Sequence, residues 1–373
     1  MSDIVYAIYD GEIEKGGVYN VLASFLRGLL KGFKEAGLKA YSFDECMKKN
    51  IRFHVAIGFN AAGQIYWDNV LNMDAISVFW SVDSIFSKNS FVVRKYQDFE
   101  NFICFNVSPA DYEAAKYYMP KLKYMYMPHA TDKDLWNKRE CKKEYDIVLL
   151  SSLYDFEDKL EKLKNSKNNE VLYGLVSELI EIVSKKPNST FWEIYNIVKP
   201  VCNLNLNLDD YIHLFDFVTS IVEQKQKVKM IQSLSNLNVK VFGSKLWEKY
   251  IQGNVEYMGK ADLFESIDIV NKSKIILHCQ IPQLNWGLHE RFLNASCAGT
   301  FCLASKTPSI EKEFSDNFAY FNHATFENIE EIARYYLKNE DEREQKAQNA
   351  RDIVHKNHLW KNRAQAIDEL FAQ

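Results

Sequence analysis

Glu290 and Arg291 stand at the head of a run of small and apolar residues, "LHERFLNASCAGTFCLASKTP" (Leu288–Pro308). The run follows a loop containing Pro282 and Gly287, breaks at Gly299 and resumes as an apolar strand over Phe301–Ala304. That layout predicts a helix from about His289 to Ala298 with Gly299 as its stop. Arg291 then sits in the first turn, where unpaired backbone N–H groups and the helix dipole already favour an anion. A guanidinium adds a planar fork matched to phosphate oxygens. The plainer alternative is a Glu290–Arg291 pair on a solvated face. A second anion-binding signal is "EIEKGGVYNVL", which sets Gly16 and Gly17 between the first strand and a helix, where backbone amides can approach a ligand. An ordinary turn would use the same glycines.

Three further residues could do acid–base work. Asp83, in "FWSVDSIF", ends a strongly apolar strand and either faces a ligand or caps the next segment. His129, in "MPHATD", falls near a proposed domain boundary, and His278 lies inside a strand and reads as a hydrogen-bonded core histidine. The histidines form no HxH or HExxH pattern and the acids no calcium-loop spacing, so no metal site is expected. GxGxxG after a strand, GxxxxGK[ST] and GxSxG are absent from the sequence, which removes support for simple dinucleotide, P-loop and serine-hydrolase readings.

The elements that must hold these groups follow from periodicity. "DIVYAIY" (Asp3–Tyr9), "KAYSF", "HVAIGF", "AISVFWS", "NFICFN" and "LKYMYMP" read as strands, and Val18–Ala36 as an amphipathic helix. A second series opens at "DIVLLSS" (Asp146–Ser152) and resumes with "VKVFGS", "VEYMG", "SKIILHC", "FCLAS" and "FAYF". Near-continuous apolar strands separated by helices indicate parallel sheets covered on both faces. Between them, Leu172, Leu175, Leu179 and Val183 recur at helical spacing, and "TFWEIYNIV" and "DDYIHLFDFVTSIVEQ" continue the pattern.

The expected organisation is therefore α/β, with two Rossmann-like doubly wound domains facing a cleft. A first domain covers 1–130, a polar linker 131–145, and a second domain 146–357 with a helical insertion at about 154–236; a final helix, 358–373, crosses back to the first domain. At 373 residues, two domains are the natural prior. A net charge of -4 gives no general attraction to nucleic acid or anionic lipid. Seven cysteines without a CxxC pair read as reduced thiols, no apolar stretch approaches a membrane span, and the N-terminus lacks a signal-peptide layout. A cytoplasmic protein is the expectation.

The stretch "YMGKADLFESIDIVNKSKIILHCQIPQLNWGLHERFLNASCAGTFCLASKTPSIEKEF" resembles the C-terminal donor-binding domain of GT-B glycosyltransferases, in particular the spore-maturation-protein-like group related to the family 1/4 transferases. The likeness covers Asp146–Ser152 and Val239–Gln373, and in outline "VFWSVDSIF" and "YMPHATDKDLW" of the first half. It implies a nucleotide-sugar donor, UDP-linked by preference, on the second domain and a glycan or protein acceptor mainly on the first. Arg291 is similar to the family's pyrophosphate-contacting base, with His289 and Glu290 beside it. Asn294 stands where many relatives have a ribose-binding glutamate. Ser151, Ser152, Gly243 and Ser244 fall in loops that line the nucleotide site, Lys15–Gly17 looks like a loop closing over the diphosphate, and Trp360–Arg363 resembles the segment that crosses back.

The resemblance implies metal-independent transfer with retention at the anomeric carbon and no cofactor beyond the donor. Inversion would need a base, with Asp83 the first candidate and His129 the second. Two rival readings stay open: a catalytically idle GT-B module for binding or assembly, and a sugar-nucleotide epimerase. The insertion is a candidate dock for an acceptor or a second subunit, and no nucleic-acid partner is expected.

Overall fold

The computed structural model describes residues 2–11, 21–60, 62–87, 91–165 and 170–372. The chain divides into two compact units, Met1–Leu135 with the segment from Val354 onward, and Trp136–Ile353. The polar segment 131–145 is thus shared between them.

In the first unit the strands are β1 (Val5–Ile8), β2 (Lys39–Ser42), β3 (Val55–Phe59), β4 (Ile76–Ser81), β5 (Phe102–Asn106) and β6 (Lys123–Tyr126). Between them run α1 (Val21–Glu35), α2 (Phe43–Lys49), α3 (Gln64–Val70), α4 (Phe91–Tyr96) and α5 (Tyr112–Tyr118). The sheet is parallel, in the order β2-β1-β3-β4-β5-β6. Every residue of β3 and β5 is buried, which is why those strands read as unbroken apolar runs.

The second unit begins with β7 (Tyr145–Leu150), followed by α6 (Glu157–Asn165), α7 (Glu170–Lys185), α8 (Phe191–Val201) and α9 (Leu208–Gln232). Then come β8 (Val239–Phe242), β9 (Val255–Tyr257), α10 (Leu263–Lys272), β10 (Ser273–His278), α11 (Glu290–Cys297), β11 (Phe301–Ser305), α12 (Pro308–Phe314), β12 (Ala319–Phe321), α13 (Ile329–Lys338) and α14 (Glu340–Asn357). Its parallel sheet has the order β12-β11-β10-β7-β8-β9, the doubly wound arrangement that reverses direction between its first and fourth strands, β7 and β10. Ligands of such sheets bind outside the carboxyl ends of the strands at that reversal.

Helices α6–α9 form the helical insertion. Thr190 and Glu193 make a reciprocal capping box that starts α8. Phe191, Tyr195, Tyr211 and Phe215 pack ring against ring inside the insertion. Helix α9 is buried along most of its length, polar residues included.

The last helix, α15 (Trp360–Phe371), returns to the first unit. Trp360 packs on Phe25, Phe59 and Trp80, and Arg363 donates to the carbonyls of Pro128 (Nε, 2.9 Å), His129 (Nη2, 2.9 Å) and Asn357 (Nη1, 3.0 Å). All seven cysteines are unpaired thiols, five of them buried. Among the described residues no helix is long and apolar enough to cross a membrane.

Candidate functional site

The carboxyl ends of β7 and β10 gather the predicted residues of the second unit. Helix α11 starts at Glu290 with His289 at its N-cap position, His289 Nδ1 lying 3.2 Å from the Arg291 amide. It ends because Gly299 adopts a left-handed φ of 70°. Ala295, Cys297 and Ala298 are buried, so this face of the helix lies close to the sheet.

Arg291, in the first turn of α11, reaches across to the turn after β7. Its Nη1 donates to Ser151 Oγ at 3.1 Å. Its Nε is 3.8 Å from Glu290 Oε1, close enough for attraction and too far for a hydrogen bond. The expected alternative of a solvated Glu290–Arg291 pair is met in part, since the two are within ion-pair range with the Arg291 side chain 37% exposed and that of Glu290 13%. Glu290 Oε2 also lies 2.7 Å from His289 Nδ1. One nitrogen of a neutral imidazole cannot both accept from the Arg291 amide and donate to Glu290, so the tautomer of His289 selects between cap and carboxylate. Arg291, a first-turn residue of α11 with one donor on Ser151, has further N–H donors of the kind that suit a phosphate.

The turn after β7 is held from several directions. Ser151 is buried, and its carbonyl accepts from Trp247 Nε1 at 2.6 Å. Gly243 lies so close that a Cβ built on it would be 2.1 Å from the Ser151 carbonyl oxygen. Ser244, expected beside the nucleotide, uses its hydroxyl on the protein: it donates to Leu153 O at 2.7 Å and accepts from Leu153 N at 2.9 Å. Gly243 and Ser244 thus shape the turn. Asn294, one turn along α11 from Arg291, is half-buried.

His278 is a buried core histidine, as expected. Its Nε2 is 2.9 Å from Gln280 Oε1, and burial first, then the neighbouring His289, pushes its pKa down to about 3. A neutral imidazole suits that pairing.

The other candidates belong to the first unit or lie outside the described residues. Asp83 follows β4 and accepts from Asn60 Nδ2 at 3.2 Å. The turn after it is pinned by buried Asp111, which accepts from Ser84 Oγ (2.8 Å), the Ile85 amide (3.0 Å) and Asn106 Nδ2 (2.8 Å). Burial raises the Asp111 carboxyl to about 6 despite those donors. His129 is buried, its ring against Phe25 and its carbonyl held by Arg363. Gly16 and Gly17 lie outside the described residues. Among the described residues no group of three or more His, Cys, Asp or Glu side chains is placed to hold a metal ion.

Sequence reasoning missed Lys227 and Gln224 of α9. Lys227 is buried, with Nζ 2.5 Å from Glu223 Oε1 and 3.4 Å from the Ser152 carbonyl. Gln224 Oε1 accepts from the Phe156 amide at 2.8 Å. The only sequence signal was that α9 carries polar residues inside an otherwise apolar pattern.

Residues 225–369 match a family model described as glycosyl transferase-like. A comparison with curated proteins finds no match. Among solved structures, the chain is similar to sucrose-phosphate synthase of Thermosynechococcus elongatus, at 9% identity and a TM-score of 0.58, covering 99% of this chain and 98% of that one. It is also similar to Anabaena HepE in complex with UDP and glucose, at 9% identity and a TM-score of 0.55, with 99% of each chain covered. T4 phage β-glucosyltransferase aligns at 11% identity and a TM-score of 0.54 over 98% of each chain. The fold is GT-B. Within the GT-B frame, the matched segment contains α11 and hence Arg291, together with Lys227, Gly243 and Ser244, while Ser151 and Ser152 precede it.

Proposed function

We propose that this chain is a glycosyltransferase that moves a sugar from a nucleotide-diphosphate donor, UDP-linked by preference, to a glycan or protein acceptor, without a metal and with retention. The observation that carries the reading is Arg291, held in the first turn of α11 with its guanidinium on Ser151 across the reversal between β7 and β10. Breaking the bond between the anomeric carbon and the diphosphate oxygen leaves negative charge on the departing phosphate. A fixed guanidinium and the N-terminal amides of α11 stabilise that charge as it develops. The acceptor hydroxyl oxygen forms the new bond to the anomeric carbon, and its proton passes to the leaving phosphate. Should transfer invert, Asp83 is the first base and His129 the second.

The likeness to HepE with UDP and glucose favours a uridine nucleotide and a hexose. The spore-maturation-protein-like group remains the closest reading of the "ERFLNASCAG" segment. Asn294 in place of a ribose-binding glutamate gives the idle-module alternative its one foothold, since an amide lacks the charge-assisted strength of a carboxylate. The test is calorimetric binding of UDP and release of UDP from UDP-glucose. Wild-type protein should bind UDP, and Arg291→Ala should bind it at least tenfold more weakly with the fold intact. Equal affinity in the variant would remove Arg291 from the site, and no release with any acceptor offered would favour the idle module.

A further inference from the structure

The helical insertion is fastened to both loops that form the candidate site. On one side α9 holds the turn after β7: Lys227 Nζ is 3.4 Å from the Ser152 carbonyl, and Gln224 accepts from the Phe156 amide. Gln224 also donates to Tyr250 Oη at 3.0 Å, tying the same turn to the segment after β8. On the other side, the turn between α7 and α8 is gripped by the loop between β10 and α11. Asn285 Nδ2 donates to the carbonyls of Ser189 (2.7 Å) and Pro187 (3.4 Å), and Trp286 Nε1 donates to Asn188 O at 2.7 Å. These two residues come shortly before His289 and Arg291 in the chain.

These contacts place polar side chains of the insertion out of water. Lysine is almost never fully buried unless paired, yet Lys227 is 4% exposed and faces Glu223. Gln224 is 2% exposed and uses both ends of its amide on the loops. Burying such groups costs free energy that only well-made hydrogen bonds recover.

We infer that the insertion is a brace for the donor site, with Lys227 and Asn285 as positioning residues that preset Ser151 and Arg291 for the diphosphate. The inference rests on the donor-site reading above, and it predicts that loosening either attachment weakens nucleotide binding from a distance. Holding both loops before the ligand arrives saves the ordering cost that binding would otherwise pay.

The test uses the full chain and four variants: Lys227→Met, Lys227→Arg, Trp286→Phe and Asn285→Ala. Amide hydrogen exchange in the ligand-free protein reads the brace directly. Lys227→Met should speed exchange at Ser151–Leu153, and Asn285→Ala and Trp286→Phe at Gly287–Arg291, with the strands of the sheet unchanged. UDP affinity should fall about tenfold in Lys227→Met and Asn285→Ala, and Lys227→Arg should recover most of it because a cation still faces Ser152 and Glu223. A faster exchange spread evenly over the second unit would overturn the inference, since that marks general destabilisation. Wild-type exchange and affinity in all four variants would overturn it too, while a loss of UDP binding in Arg291→Ala alone would leave the donor-site reading standing. Retained UDP binding in Arg291→Ala would instead count against the donor-site reading, and the exchange measurements would still judge the brace.

Discussion

Gly243→Ala tests how tightly the turn after β7 is held. A Cβ at this position would stand 2.1 Å from the Ser151 carbonyl oxygen, 2.7 Å from its carbonyl carbon and 3.1 Å from Ser152 Cα. All three are backbone atoms, so no side chain can swing away. Ordinary contact begins near 3.4 Å, so the turn must retreat by roughly 1.3 Å, the difference between the two distances. Ser151 would then lose the good geometry of its bonds to Trp247 and Arg291, now 2.6 Å and 3.1 Å. Overpacking of this kind costs about 1–3 kcal/mol, with about 1 kcal/mol more for each strained hydrogen bond. With two such bonds the total is about 3–5 kcal/mol, and for a body the size of the second unit a drop in melting temperature of about 6–20 °C follows. Freed from Ser151, Arg291 becomes mobile, and UDP affinity should fall about tenfold, equivalent to about 1.4 kcal/mol. Differential scanning fluorimetry and calorimetric titration with UDP measure both effects. A variant that melts within about 1 °C of wild type and binds UDP equally would show that the close approach at Gly243 does not exist in solution.

Acid should destabilise the fold through its buried histidines. Burial first of all lowers His278, His323 and His358 to about 3, 4 and 3. Their folded pKa values lie below the unfolded value near 6.5, so below that pH the unfolded chain binds more protons and stability falls as pH drops towards 4. Asp111, raised to about 6, acts in the opposite sense between pH 6 and 4, but it is one group against three. At pH 5 each histidine costs up to about 2 kcal/mol, and melting curves from pH 7.5 to 5 should show the fall; a flat or rising profile would refute the neutral, buried assignment. Arg363→Lys should cost about 3 kcal/mol, because an ammonium cannot reproduce the fork that satisfies the Pro128, His129 and Asn357 carbonyls. Urea denaturation measures it, and a midpoint equal to wild type would show that the fork contributes nothing.

The strands were legible because burial on both faces leaves an apolar run with few interruptions, as in Val55–Phe59 and Phe301–Ser305. The helix carrying Arg291 was legible for a local reason, a loop with Pro282 and Gly287 before it and a stop at Gly299 after it. Its partner was not. Ser151 lies 140 residues earlier, and the two meet only because β7 and β10 are neighbours, which strand order decides and local pattern does not. The segment "VEQKQKVK" is almost wholly polar and charged, yet Gln224, Gln226 and Lys227 are all buried. Helix α9 is enclosed by the rest of the insertion and by the loops of the sheet, so its polar side chains turn inward to meet backbone groups that a sequence pattern cannot show. Ser244 shows a hydroxyl in the expected loop that also serves the fold, donating to the Leu153 carbonyl and accepting from the Leu153 amide.

The return of α15 to the first unit has a consequence for synthesis on the ribosome. Phe25, Phe59 and Trp80 emerge early, but the indole of Trp360 that covers them follows only after residue 353 has been made. The second unit, whose residues are consecutive, can finish folding as soon as it is released, whereas the first must wait with an aromatic surface open to water. A nascent chain stalled before Trp360 should therefore recruit chaperones at its amino-terminal half, and the final helix acts as the latch that ends that exposure.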